Sequence, residues 1–259
     1  MRTARICEKW DLDFNIELKD EGDRNLHKRS YLHYATSRPD LVACKSYATE
    51  WLFKGIVDET KEYTAIEYMA GIGIQTIIAQ NTFKLSNHTV NELDEGCIDH
   101  LSNSNFPLDL EVLGNDAREL LRKGDHYDLK FLDFPSSSIL RVTREWNAEF
   151  AKLFQSKPRM VVWTDTSITY SMKINGHRYA EITGVETKTN DDYVNGYSKW
   201  LFENHGYSIV KAAFRHRNAV YFAAVEGLHE TESRYFKLKD TNDGFYFLDK
   251  QGVSLEQFM

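Results

Sequence analysis

Two glycines at the mouth of an apolar run constrain this chain more than any other feature. Residues 65–76 read Ala-Ile-Glu-Tyr-Met-Ala-Gly-Ile-Gly-Ile-Gln-Thr. A strand pattern runs into Gly71-x-Gly73, and a helical run from Ile74 to Gln80 follows at once. Without a Cβ, glycine permits tight turning and close ligand approach, while the helix behind it presents backbone N–H groups that lack intrahelical partners. In an open α/β sheet, a strand–turn–helix unit of this kind marks the crevice where nucleotide-like ligands sit. Gly-x-Gly pairs also occur in ordinary loops, so the elements that follow decide the reading.

Those elements alternate. A polar break at Asn81–His88 leads to a short strand at Thr89–Asn91 and the acidic cluster Glu92-Leu93-Asp94-Glu95, which opens a helix over 95–102. Glu92 lies at the end of the second strand, where a carboxylate can take a two-pronged grip on a ribose diol; the structural alternative is an acid at a helix N-terminus. A third strand over 108–113 is followed by Gly114-Asn-Asp116-Ala117, with Asp116 placed to cap a helix over 117–122. The fourth strand, 126–133, ends in Asp133-Phe134-Pro135-Ser136-Ser137-Ser138, and the fifth, 159–166, ends in Thr164-Asp165-Thr166. Residues 167–190 read as an insertion, with Asn175-Gly176 as a turn between two short strands. A helix over 191–204 places Tyr193, Tyr197, Trp200 and Leu201 on one side and stops at Gly206. Tyr207–Phe214 and Ala219–Glu226, joined by Arg215-His-Arg-Asn, read as an antiparallel hairpin.

A length of 259 residues with 42% hydrophobic content suits one α/β domain with additions. Three scattered cysteines, Cys7, Cys44 and Cys97, suggest reduced packing residues rather than a disulfide framework or a zinc knuckle. The chain shows no signal peptide and no apolar run long enough for a membrane span, so a cytoplasmic protein with no membrane association is expected. A net charge of −7 provides no general attraction for nucleic acid, which leaves only a local basic face to do so. Arg24, His27, Lys28, Arg29, Arg38 and Lys45, interleaved with Tyr31, Tyr34 and Tyr47, are such a candidate face; a solvated extension is the structural alternative. An amphipathic helix over 46–57 carries Tyr47, Trp51, Leu52 and Ile56, with core packing or flanking of a cofactor as its two uses.

The stretch Ala70-Gly71-Ile72-Gly73, the acid Glu92, Asp116 and the run Tyr127-Asp-Leu-x-x-Leu-Asp133-x-Pro135 occur in the order and at the spacing of four motifs. Together they resemble class I S-adenosylmethionine-dependent methyltransferases, over roughly residues 46–226. The resemblance implies an α/β, Rossmann-like, doubly wound seven-stranded sheet with a C-terminal antiparallel hairpin strand. It divides the chain into an N-terminal extension at 1–45, a methyltransferase domain at 46–226 and an accessory arm at 227–259. It also implies S-adenosylmethionine as cofactor, bound by Glu67, Ala70, Gly71, Gly73, Glu92, Leu93, Asp116, Ala117 and Asp133. In this pattern Glu92 takes the ribose, Leu93 lies against the adenine, and Asp116 takes the adenine amino group. Asp133 and Pro135 are the implied catalytic positions, in a loop that faces the methyl group, and no metal is implied.

The Ala-Gly-x-Gly form and the Asp-x-Pro loop resemble nucleic-acid methyltransferases, which makes an RNA or DNA base the implied acceptor. Thr164-Asp165-Thr166 resembles a stretch of transfer-RNA guanine methyltransferases. Phe134 and Ser136 depart from the Asp/Asn-Pro-Pro-aromatic tetrapeptide of amino-group methyltransferases, which keeps a non-catalytic binding module as an alternative. A nicotinamide-dependent oxidoreductase shares the glycine turn and the ribose acid; Thr76, in place of a third glycine, argues against it.

Overall fold

Alternation along the strands sends successive side chains to opposite faces of the sheet, and each face here is apolar enough to bury a layer of helices. The computed structural model describes residues 48–133, 146–166, 168–188, 190–215, 219–227, 234–241 and 244–248. The sheet comprises β1 (Glu62–Glu67), β2 (Lys84–Asn91), β3 (Leu110–Leu113), β4 (Leu129–Leu132), β5 (Met160–Thr166), β6 (Tyr207–Arg215), β7 (Ala219–Glu226), β8 (Arg234–Thr241) and β9 (Gly244–Leu248). Helices α1 (Ile74–Thr82), α2 (Glu95–Asn103), α3 (Ala117–Lys123), α4 (Asn147–Gln155), α5 (Ile168–Thr183) and α6 (Asn190–His205) connect them.

Spatial order is β3-β2-β1-β4-β5-β7-β6-β8-β9. β1 to β5 are parallel to one another, and β7 is antiparallel to both β5 and β6. The first seven strands thus form the expected Rossmann-like, doubly wound sheet, with its C-terminal antiparallel hairpin. Two strands within 227–259 extend it: β8 pairs parallel with β6, and β9 pairs antiparallel with β8.

On one face Ile66, Leu132, Trp163, Ile209 and Phe222 pack under Leu121 of α3, Phe150 and Phe154 of α4, Tyr179 of α5 and Tyr193, Tyr197 and Leu201 of α6. On the other, Ala65, Phe131, Val162 and Tyr221 pack under Leu52 and Phe53 of the helical stretch 48–53 and Ile74, Ile77 and Ile78 of α1. Trp51 packs against this second face, and Lys211 Nζ sits 4.9 Å from its ring centre while donating to the Trp51 carbonyl at 2.8 Å.

Two readings from the sequence are corrected. Residues 168–183 form the helix α5, not a pair of strands, and Asn175-Gly176 lies inside it. Tyr179 of α5 is buried and stands edge-on to Tyr193 of α6 at 5.2 Å, a tertiary contact that overrides the turn preference of Asn-Gly. β2 begins at Lys84, within the expected polar break. Its first four residues are at least partly exposed while the last four are buried, so backbone pairing with β1 makes a strand there without an apolar pattern. The connecting residues 216–218 of the hairpin, the basic and aromatic residues of the N-terminal extension, Cys7, Cys44 and Tyr47 lie outside the described residues. Cys97 is buried and unbonded to another cysteine. Among the described residues no helix is long and apolar enough to cross a membrane.

Candidate active site

Because β1 to β5 run parallel, their carboxyl ends share one edge, and the polar residues singled out in the sequence sit on the loops leaving it or close to it. The first loop is pinned on both sides as it leaves β1. Tyr68 N–H donates to the Phe131 carbonyl at 2.9 Å, and Ala70 N–H to the Asn91 carbonyl at 3.0 Å. The Tyr68 hydroxyl donates to Asp125, whose other oxygen pairs with buried Lys130 Nζ at 2.5 Å. Burial pulls the Lys130 ammonium below its ordinary pKa, against the attraction of Asp125.

Gly71 and Gly73 then turn the chain with φ of 57° and 81°, the left-handed region that favours glycine. Gly73 caps α1 without a side-chain acceptor. A Cβ placed on Gly73 would stand 2.9 Å from Phe106 Cζ and 3.1 Å from Leu101 Cδ2. The chain's own packing therefore requires a glycine there, whatever approaches from outside.

Glu67 is fully buried, and its Oε2 accepts from the Thr76 hydroxyl at 2.7 Å. This bond ties the end of β1 to the first turns of α1 from beneath the loop, and it gives Thr76 a use that a third glycine could not serve. Ala70 is buried as well, against Val90 and Leu101. Neither side chain faces solvent.

Glu92 holds the loops together from outside. Its Oε2 accepts from Gly71 N–H at 2.7 Å, and its Oε1 from the N–H groups of Leu93 at 2.7 Å and Asp94 at 3.1 Å. A carboxylate has about four acceptor positions, so three are filled by backbone. These three bonds occupy both oxygens, two on Oε1 and one on Oε2. Beside it Leu93 is 65% exposed, and no other large hydrophobic side chain is as open among the described residues. Asp94, rather than Glu92, caps α2, accepting from Cys97 N–H at 3.0 Å.

Asp116 caps α3 through the Arg118 N–H at 2.8 Å, and its two oxygens also accept from Arg118 Nε at 3.1 Å and the Arg118 terminal nitrogen at 2.7 Å. Hydrogen bonds from Arg118 hold this carboxyl below its ordinary pKa. The capping role is present in full; Ala117, which opens the helix, is buried. Arg118 also lies 5.8 Å from the ring centre of Trp146.

One organising residue escaped the sequence reading. Buried Asn91 donates through Nδ2 to the carbonyls of Tyr68 at 3.0 Å and Asn115 at 2.9 Å, and its Oδ1 accepts from Asn115 N–H at 3.0 Å. It thereby ties together the ends of β1, β2 and β3. Its position directly before Glu92 was the available signal, since a polar residue ending a buried strand needs partners.

Asp133 follows β4, where Leu132 is in register with Trp163 of β5. Its Oδ1 accepts from the Thr164 hydroxyl at 2.7 Å. Asp165 faces the other way, where its Oδ2 accepts from the Tyr193 hydroxyl at 2.6 Å in the core under α6. Pro135, with Phe134 and Ser136–Ser138, lies outside the described residues.

The order β3-β2-β1-β4-β5-β7-β6, with β7 antiparallel to both neighbours, is that of the class I methyltransferase fold. No protein-family model matches the chain, and no curated protein matches it. Solved structures do. One is Trm1 from Pyrococcus horikoshii in complex with S-adenosyl-L-methionine, at 10% identity over 80% of this chain and 62% of that one, with a TM-score of 0.50. Another is a provisionally assigned RNA methyltransferase, also from Pyrococcus horikoshii, at 10% identity over 89% of this chain and 99% of that one, with a TM-score of 0.48. A third is magnesium protoporphyrin IX methyltransferase from Synechocystis with bound SAH, at 15% identity over 87% and 93% of the two chains, with a TM-score of 0.43. At these identities the likeness is one of fold.

Proposed function

We propose that this chain is an S-adenosylmethionine-dependent methyltransferase acting on a base of RNA or DNA. The observation that carries the proposal is the bond from Gly71 N–H to Glu92, which makes the glycine turn and the ribose acid one unit at the edge of a methyltransferase sheet. The residues present fit the cofactor. Glu92 retains one acceptor position for a ribose hydroxyl, exposed Leu93 provides an apolar surface for the adenine, and the α1 N-terminus adds donors. Asp116 and Ala117 border the adenine side, with Asp116 sharing its oxygens between Arg118 and the amino group. Glu67 and Ala70 serve the cofactor indirectly, by holding the turn from below.

The bound cofactor supplies a methyl group already activated by its sulfonium, so the protein's part is orientation and exclusion of water. Asp133 would accept a hydrogen bond from the incoming amine, orient its nitrogen lone pair, and take up the proton the amine loses as the nitrogen–carbon bond forms and the methyl–sulfur bond breaks. Pro135 shapes the loop that admits the base. The nucleic-acid acceptor rests on the Ala-Gly-Ile-Gly and Asp-x-Pro resemblance. A calorimetric titration tests the cofactor: S-adenosylmethionine binds and NAD gives no heat. Binding of NAD alone would overturn the proposal in favour of an oxidoreductase, against which the Glu67–Thr76 bond at the third-glycine position already stands.

A further inference from the structure

We infer that Thr164 is a positioning residue: its hydroxyl, carried on β5, fixes the orientation of the Asp133 carboxylate toward the methyl-accepting side of the site. The inference rests on the reading of Asp133 given above and adds a group that holds it. The contrast between the two residues carries it. Asp133 lies one residue past the β4 ladder and is partly exposed, and an aspartate carboxylate rotates broadly about χ2. Thr164 is 2% exposed, sits inside β5, and is paired with Tyr221 of β7 across the sheet. As a β-branched residue it has restricted χ1 freedom.

A fixed hydroxyl that donates at 2.7 Å to one carboxylate oxygen is a short, charge-assisted bond, and it sets that oxygen apart from the other. The bond occupies one of about four acceptor positions. Neighbouring Asp165 does not compete for the hydroxyl, because strand alternation turns it to the opposite face, where Tyr193 donates to it.

Valine keeps the shape of threonine and removes the donor, whereas serine keeps the donor. The test uses the full chain carrying T164V or T164S, with kcat and KM measured for methyl transfer and the orientation of Asp133 read from crystal structures of each variant. Expected is a fall in kcat of roughly 10- to 100-fold for T164V, the scale of a hydrogen bond to a charged group. Cofactor Kd should change little, T164S should retain most activity, and the Asp133 carboxylate should rotate or split in T164V alone. An unchanged Asp133 orientation in T164V overturns the inference whether or not the protein turns over. So does equal loss of activity in T164S and T164V. A wild type that transfers no methyl, with Asp133 still reoriented in T164V, leaves the positioning role standing and defeats the methyltransferase reading instead.

Discussion

Gly71 donates its backbone N–H to Oε2 of Glu92 at 2.7 Å, so the turn after β1 and the acid after β2 are mechanically coupled. A glutamate at this point is therefore an internal staple, to which the proposed function adds the part of a ligand acceptor. Glu92→Ala should weaken S-adenosylmethionine binding by about 1.5–3 kcal/mol, the scale of hydrogen bonds to a charged group. Contrary to the expectation for a purely solvent-facing acid, it should also lower unfolding stability, by roughly 1–2 kcal/mol, because three backbone donors lose their acceptor. Calorimetry and chemical denaturation read the two effects separately. Unchanged affinity together with lowered stability would reduce Glu92 to the staple alone.

Gly73 makes a second distinction possible. Alanine there must adopt φ near 81° and press its Cβ toward Phe106, so Gly73→Ala should cost stability by about 1–3 kcal/mol before any ligand is added. Shortening the obstructing ring with Phe106→Leu in the same chain should recover the steric part of the loss and leave the backbone part. A Gly73→Ala protein as stable as the wild type in denaturant would contradict this packing.

Stability should depend on pH through His88. Burial lowers its pKa from 6.5 to about 3, so the folded protein holds it neutral while the unfolded chain protonates it. Between those values the unfolded state binds the extra proton, and stability present above pH 6.5 is lost as pH falls toward 3, by up to about 1.4 kcal/mol per pH unit. His88→Gln should flatten this part of the profile in thermal melts from pH 7 to pH 4. An unaltered profile in that variant would place the acid sensitivity elsewhere.

Much of this architecture is legible in the chain because its signals are local. Gly71 and Gly73 mark a turn that demands positive φ, and Tyr193, Tyr197, Trp200 and Leu201 announce the buried face of α6 by helical spacing. Other features depend on tertiary contacts. The polar start of β2 is a strand because β1 pairs with it, Asn175-Gly176 is helical because α5 packs on α6, and α4 lies in a stretch, 139–158, where no element was read. In the site, the positions of Glu92, Asp116 and Asp133 at strand ends follow from motif spacing. Their partners do not. That Glu92 is three-quarters filled by backbone donors, that Arg118 covers Asp116, and that Thr164 holds Asp133 are facts of loop geometry, which spacing along the chain does not encode.

Transfer of labelled methyl from S-adenosylmethionine to pooled RNA and DNA, by the wild type and by Asp133→Ala, tests the central claim most directly. The account predicts label in nucleic acid with the wild type, and a rate lower by roughly 10²-fold or more in Asp133→Ala, with cofactor affinity within a few-fold of normal. Tight cofactor binding by the wild type with no label in either pool would contradict it.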